Sequence, residues 1–129
     1  MLITPIDKSK ETDGVQVCYY GVNLIVARAN NTNFKHMFRT LTVPYKYQIE
    51  NNQSIPDDVS EDIMLKCYAA TILVGWNSFV DPDGNKVPYS KENAYSLLKD
   101  DDDVYEFVKN QSNNMDIFLN KEVKETKVK

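Results

Sequence analysis

The chain has 129 residues, 42% apolar and 26% charged, with a net charge of −4 and a sequence pI of about 4.9. That is the size of one domain with one modest core, and the apolar share is too high for a disordered chain. The acidic balance excludes the clustered-cation footprint of a nucleic-acid-binding protein. The most apolar run, residues 67–80, is shorter than the roughly 20 residues that cross a bilayer, so neither nucleic acid nor membrane is expected as a partner.

Taken in chain order, residues 15–28 read as extended. Val15, Val17 and Tyr19 alternate with Gln16 and Cys18, and Val22, Leu24 and Val26 flank Asn23, the pattern of half-buried strands. Tyr20-Gly21 either turns one strand back on the other or bends a single longer strand. Asp13-Gly14 is the stronger turn, and through it a strand at residues 2–6 is predicted to pair with residues 15–19. Asn30-Asn31-Thr32 then offers helix N-caps. Phe34, Met37, Phe38 and Leu41 fall on one face of a short helix, with Lys35, His36 and Arg39 on the other side. Pro44 ends it, and residues 45–53 read as a polar, tyrosine-containing connection.

Ser54-Ile-Pro-Asp57 has capping-box spacing. Acids crowd the following turn, where the helix dipole favours them. Val59, Ile63, Cys67, Ala70 and Val74 make one apolar row, and Leu65, Tyr68, Ile72 and Trp76 a second. This predicts a central helix centred on residues 63–76 that loosens at Gly75. Ser90 caps a further helix carrying Ala94, Tyr95, Leu97 and Leu98, and Asp103 to Glu106 repeats the box spacing. The row Val104, Phe107, Val108, Gln111, Met115, Phe118 and Leu119 predicts a last helix, weakened and open to kinking at Ser112-Asn-Asn114. The fold class expected is α+β: a small antiparallel β element from the first thirty or so residues, packed on a bundle of about four helices. One globular domain is expected over residues 1–120, with residues 121–129 a frayed charged tail.

The chemistry-bearing residues make no constellation. Asp81-Pro-Asp-Gly-Asn-Lys86 places Gly84 at the fourth position of a would-be calcium loop and leaves its last position without a Glu, so a polar turn is the better reading. His36 is the sole histidine and falls on a polar helix face. Asp100 to Asp103 point in successive directions, which suits a solvated cap better than a metal cage. Cys18 and Cys67 lie in separate segments and read as two small buried hydrophobes. No metal or cofactor is expected, and the protein reads as no enzyme. The least bland feature is the tyrosines, eight in all, which suit a protein interface and a core margin equally well. The first residues show neither a basic start nor a long apolar run, so a cytoplasmic protein is expected.

Three strings carry a family resemblance. They are Gly21-Val-Asn-Leu-Ile-Val-Ala-Arg-Ala-Asn-Asn31 followed by Phe34 to Leu41; Trp76-Asn-Ser-Phe-Val-Asp81 with Gly84, Val87-Pro-Tyr-Ser90, Glu92-Asn-Ala94 and Leu97-Leu98; and Val104 to Val108 followed by Asn114 and Phe118. Across residues 15–120 the chain resembles the tail assembly chaperones of tailed phages, small proteins encoded just before the tape-measure protein. The resemblance implies a non-enzymatic chaperone that coats the tape-measure helix in the host cell cytoplasm until tail-tube subunits polymerise around it. Such a protein is absent from the mature virion. The tail-tube protein and a second copy of the chain are further partners it suggests. A structural virion protein (a tail-completion or head–tail connector component) and a small phage inhibitor of a host protein share the same size, acidity and lack of chemistry. The candidate partner-binding residues are Tyr45, Tyr47, Trp76, Phe79 and Tyr89, which the loops flanking the central helix would bring together. For Trp76 an interior position at a helix end is the equal alternative.

Overall fold

The computed structural model of the protein describes residues 5–119. Its elements run α1 (Lys8–Asp13), β1 (Val15–Tyr19), β2 (Val22–Val26), α2 (Thr32–Thr42), α3 (Lys46–Glu50), α4 (Asp57–Cys67), β3 (Leu73–Asn77), α5 (Lys91–Asp100) and α6 (Asp102–Ser112). Short 3₁₀ turns at Val43–Tyr45 and Met115–Phe118 and a π-helical turn at Tyr68–Ile72 complete the path. The fold is α+β, a three-stranded antiparallel sheet in the order β1-β2-β3 packed with helices. The charged tail expected at residues 121–129 lies outside the described residues.

β1 and β2 form a hairpin whose register pairs Tyr19 with Val22 and Val15 with Val26. The turn between them holds Tyr20 at φ 48° and Gly21 at φ 84°. Both central residues are left-handed, as a two-residue turn matched to strand twist requires. Leu24 and Val26 point into the core and are 1% and 0% exposed, while Gln16 and Cys18 of β1 face outward. Cys18 is thus an exposed thiol rather than a buried one, because the alternation that buries Val17 turns its neighbour away.

The third strand corrects the predicted central helix. α4 stops at Cys67, the π-helical turn follows, and Leu73–Asn77 is extended, pairing Leu24 with Trp76 and Ile25 with Gly75. Leu73, Val74 and Trp76 suit a strand as well as a helix, and a fully buried apolar run has no period to separate the two. β2 decides it: with β3 in place the hairpin's second edge is covered, and the Ala27 amide also donates to the Ile72 carbonyl (2.7 Å). Gly75 is required for close approach rather than as a helix end. A Cβ there would lie 3.0 Å from Cδ1 of Ile25.

Local signals explain most helix starts. Asn31 caps α2, its Oδ1 accepting from the Phe34 amide at 2.9 Å, and its Nδ2 donates to the Arg28 and Thr71 carbonyls. Ser90 caps α5 by accepting from the Asn93 amide. Asp101, not Asp103, caps α6 by accepting from the amides of Asp103 and Val104. Ser54 caps nothing: Pro56 stands at the start of α4, without a side-chain cap. Residues 45–53, expected as a connection, contain α3. The expected long last helix ends at Ser112, where Asn113 and Asn114 lead into the final 3₁₀ turn.

Of the strand expected at residues 2–6, residues 2–4 lie outside the described residues. Ile6 does not pair with β1 but bridges Leu119, because Lys8–Asp13 is helical, capped by Asp7. The Asp7 amide donates to the Phe118 carbonyl (2.8 Å), and Arg28 pairs with Glu11 at 2.9 Å. These contacts close the core over Phe118, which is fully buried with Ile72, Leu73, Leu98 and Val108.

Candidate protein-contact site

Beyond β3 the chain reverses at Ser78, held at φ 63°, and a loop returns along the strand through a Val80–Lys86 bridge. The Asp81 carboxylate closes this loop by accepting from the amides of Asp83 and Asn85, both at 2.9 Å. Both bonds fall on Oδ1, which is therefore spent on the backbone, as a polar turn requires. The return brings Val87 over the indole of Trp76, whose Nε1 donates to the Val87 carbonyl at 2.8 Å. The rings of Phe79 and Tyr89 each sit 5.1 Å from the Trp76 ring. The three aromatics, with Val87 and Pro88, line a shallow hollow of about 530 Å³.

Tyr89 also does a structural job. Its hydroxyl lies 2.7 Å from the Leu73 carbonyl and 3.1 Å from that of Ala69. The Ala69 carbonyl lies in the π-helical turn and Leu73 opens β3, so the hydroxyl serves the junction between the two. Burial pushes the phenol's pKa upward, so it remains a donor. Trp76 keeps only 7% exposure and acts as an interior pillar beneath the hollow. Phe79 and Tyr89 are half-buried.

Tyr45 and Tyr47 sit elsewhere along the chain, and among the described residues no ring contact joins them to the Trp76 cluster. Tyr45 is half-buried against the core. Tyr47 is 68% exposed, and Phe38, Val43 and Ile49 are 39%, 65% and 48% exposed, four exposed large apolar side chains in one short stretch of the chain, called the ribbon below. The ribbon runs from the last turns of α2 across Pro44 into α3. The sequence reading missed Phe38, which it placed on the core face, and Val43 and Ile49, which it left in a connection. A signal was present: Val43, Tyr45, Tyr47 and Ile49 crowd large apolar side chains into a helix of five residues and its lead-in turn, too short to bury them all.

Of the two thiols, Cys18 is exposed and Cys67 is buried. Burial pushes the Cys67 thiol up to about 11, far from a nucleophile's range at neutral pH. His36 is exposed. Among the described residues no group of three or more His, Cys, Asp or Glu is placed to hold a metal ion, and no helix is long and apolar enough to cross a membrane. What the geometry offers is contact area: an apolar ribbon and an aromatic hollow, both suited to protein side chains.

A family model described as YdaY prophage protein matches residues 29–129, a span that begins just after β2 and takes in every described element from α2 onward. No curated protein and no solved structure matches the chain.

Proposed function

We propose that this chain, which belongs to the YdaY prophage protein family, is a non-enzymatic chaperone for an apolar helical segment of a phage structural protein, the tape-measure protein above all. The observation that carries the reading is the ribbon of Phe38, Val43, Tyr47 and Ile49. A small monomer gains nothing in stability by leaving four large apolar side chains in water within a dozen residues. The prophage family and the resemblance of residues 15–120 to tail assembly chaperones support the phage partner. Tyr47 serves as the aromatic anchor, Tyr45 holds the ribbon to the core, and the hollow beside Phe79 and Tyr89 takes a second side chain of the same segment. The net negative charge keeps the complex soluble. The protein acts in the host cytoplasm and is left behind when the tail is complete.

The test is co-expression with the tape-measure protein of the same prophage. The wild-type chain raises the soluble yield of that protein, and Tyr47→Ser/Ile49→Ser removes the gain while leaving the chaperone folded. Equal yield with and without the wild-type chain ends the chaperone reading. Recovery of the chain in stoichiometric amounts from purified particles assigns it to the virion instead.

A further inference from the structure

α4, α5 and α6 pack side by side and leave between them a groove of about 860 Å³. Its floor is apolar, formed by the half-buried Met64 and Leu65 over the buried Leu98. Its rims carry carboxylates in two rows, Asp58, Glu61 and Asp62 from α4 and Asp102 and Glu106 from α6. Asp62 is taken by Lys66 (2.9 Å) and by the Tyr95 hydroxyl, and Glu106 by Lys109 (2.7 Å). Among the described residues, Asp58, Glu61 and Asp102 have no ion-pair partner. Among the described residues, Lys99 is the one lining cation without a carboxylate.

The tyrosines of the groove already hold cations. The Lys109 ammonium stands 4.4 Å from the Tyr105 ring centre, and that of Lys99 stands 5.7 Å from the Tyr95 ring. Both rings therefore stand where a cation in the groove is attracted to them, and a partner's ammonium or guanidinium group would share that attraction with the lysines already there.

We infer that this groove is a second contact surface, independent of the ribbon on residues 38–49, and that its occupant is a basic amphipathic helical segment of a protein partner. Such a helix lays its apolar side on Met64 and Leu65. Its Lys and Arg residues reach the free carboxylates on either rim and share the faces of Tyr95 and Tyr105. The bounding helices α4 and α6 have 11 residues each, about 16 Å of length, so the groove fits about three turns of helix. The carboxylates are spread along two rails rather than gathered, which suits a rod with charges on both flanks and not a single ion.

The probe is a fluorescein-labelled peptide helix patterned with Leu on one face and Lys on the other, read by anisotropy. A counterpart with Glu in place of Lys is the control. Wild type binds the Lys peptide and not the Glu peptide. Glu61→Lys/Asp102→Lys weakens binding by at least about tenfold. Asp13→Lys/Asp83→Lys, which changes net charge equally but lies outside the groove, weakens it by less than about threefold. Lys99→Glu, which removes the groove's free cation, strengthens binding. That gain keeps the test valid if the double reversal disturbs folding. Tyr47→Ser/Ile49→Ser binds like wild type, so failure here and failure of the chaperone reading are read separately. Equal weakening by both charge-reversal pairs, comparable binding of the Glu peptide, or no binding of the Lys peptide overturns the proposal. A wild-type dimer that Glu61→Lys/Asp102→Lys dissolves overturns it as well, because a second copy of the chain then fills the groove.

Discussion

Replacing Tyr89 with Phe isolates one hydroxyl. The ring stays, so the contact with Trp76 at 5.1 Å and the packing of the hollow are retained and no cavity opens. What is lost is the donor that serves the carbonyls of Leu73 and Ala69, where the π-helical turn gives way to β3. A hydroxyl has one proton, so one of the two acceptors is served at a time, the closer Leu73 oxygen chiefly. Net loss of a hydrogen bond costs about 0.5–1.5 kcal/mol, and stranding a buried acceptor raises this to about 1–3 kcal/mol. For a chain of 129 residues the usual unfolding entropy converts that range to a Tm lower by about 4–11 °C. The assay is urea unfolding followed by the fluorescence of the single tryptophan, which is buried and so reports the collapse of this very corner. Tyr47→Phe is the reference, because at 68% exposure its hydroxyl is served by water, and its cost stays within about 0.5 kcal/mol. A Tyr89→Phe cost no larger than that of Tyr47→Phe would refute the assignment of Tyr89 as the tie between the return loop and the helix-to-strand junction.

Four further outcomes follow from the same structure. With Ellman's reagent near pH 8 the exposed Cys18 reacts at once, while Cys67, at 0% exposure and with its thiol pKa pushed up to about 11, waits for unfolding; two fast thiols would contradict the burial. The raised thiol also fixes a sign: the folded state holds that proton more tightly than the unfolded chain, so stability is intact below about pH 9 and falls as pH rises toward about 11, a decline that Cys67→Ala removes from the pH dependence of the urea midpoint. Gly14→Ala costs about 2–4 kcal/mol, since φ is 90° and the new Cβ would lie 2.8 Å from Cγ2 of Ile25, whereas Gly84→Ala, at φ 84° in open space, carries only the backbone strain of about 1 kcal/mol; equal midpoints for the two variants would show that Ile25 yields freely. Ile72→Ala, at a fully buried position, costs about 2–5 kcal/mol, and His36→Ala stays within about 0.5 kcal/mol; denaturant curves in the reverse order would refute the face assignments.

α2 and α5 were legible because each carries its own cap, Asn31 and Ser90, and the alternation of β1 and β2 was legible too, but whether Tyr20-Gly21 turned or merely bent the chain was settled only by the strand pairing. Residues 68–77 were not. Their side chains are buried nearly all round, so alternation and helical rows both fit, and the choice rests on β2, far away in sequence. Ser54 had box spacing but Pro56 took the helix start, showing that spacing alone does not fix a cap. Of the candidate contact residues, Trp76, Phe79 and Tyr89 do meet, but the indole proved interior once the return loop covered it. The ribbon was hidden because Phe38 shares a helical row with Phe34, which is 7% exposed against 39%. A row fixes direction on the helix and says nothing of where the neighbouring element stops.

The direct passage from helix into strand at residues 67–73 sets a timetable for synthesis. β2 is the middle strand, yet its second neighbour begins at Leu73, 47 positions after Val26. At ordinary translation rates that delay is roughly 2–10 s. Through it the nascent hairpin shows an unpaired edge backed by Leu24 and Val26, the kind of edge that recruits other strands. A ribosome that stops before residue 77 therefore releases not a shorter protein but a sticky one. Docking of β3 on β2 is the step at which this chain stops being a hazard to its neighbours.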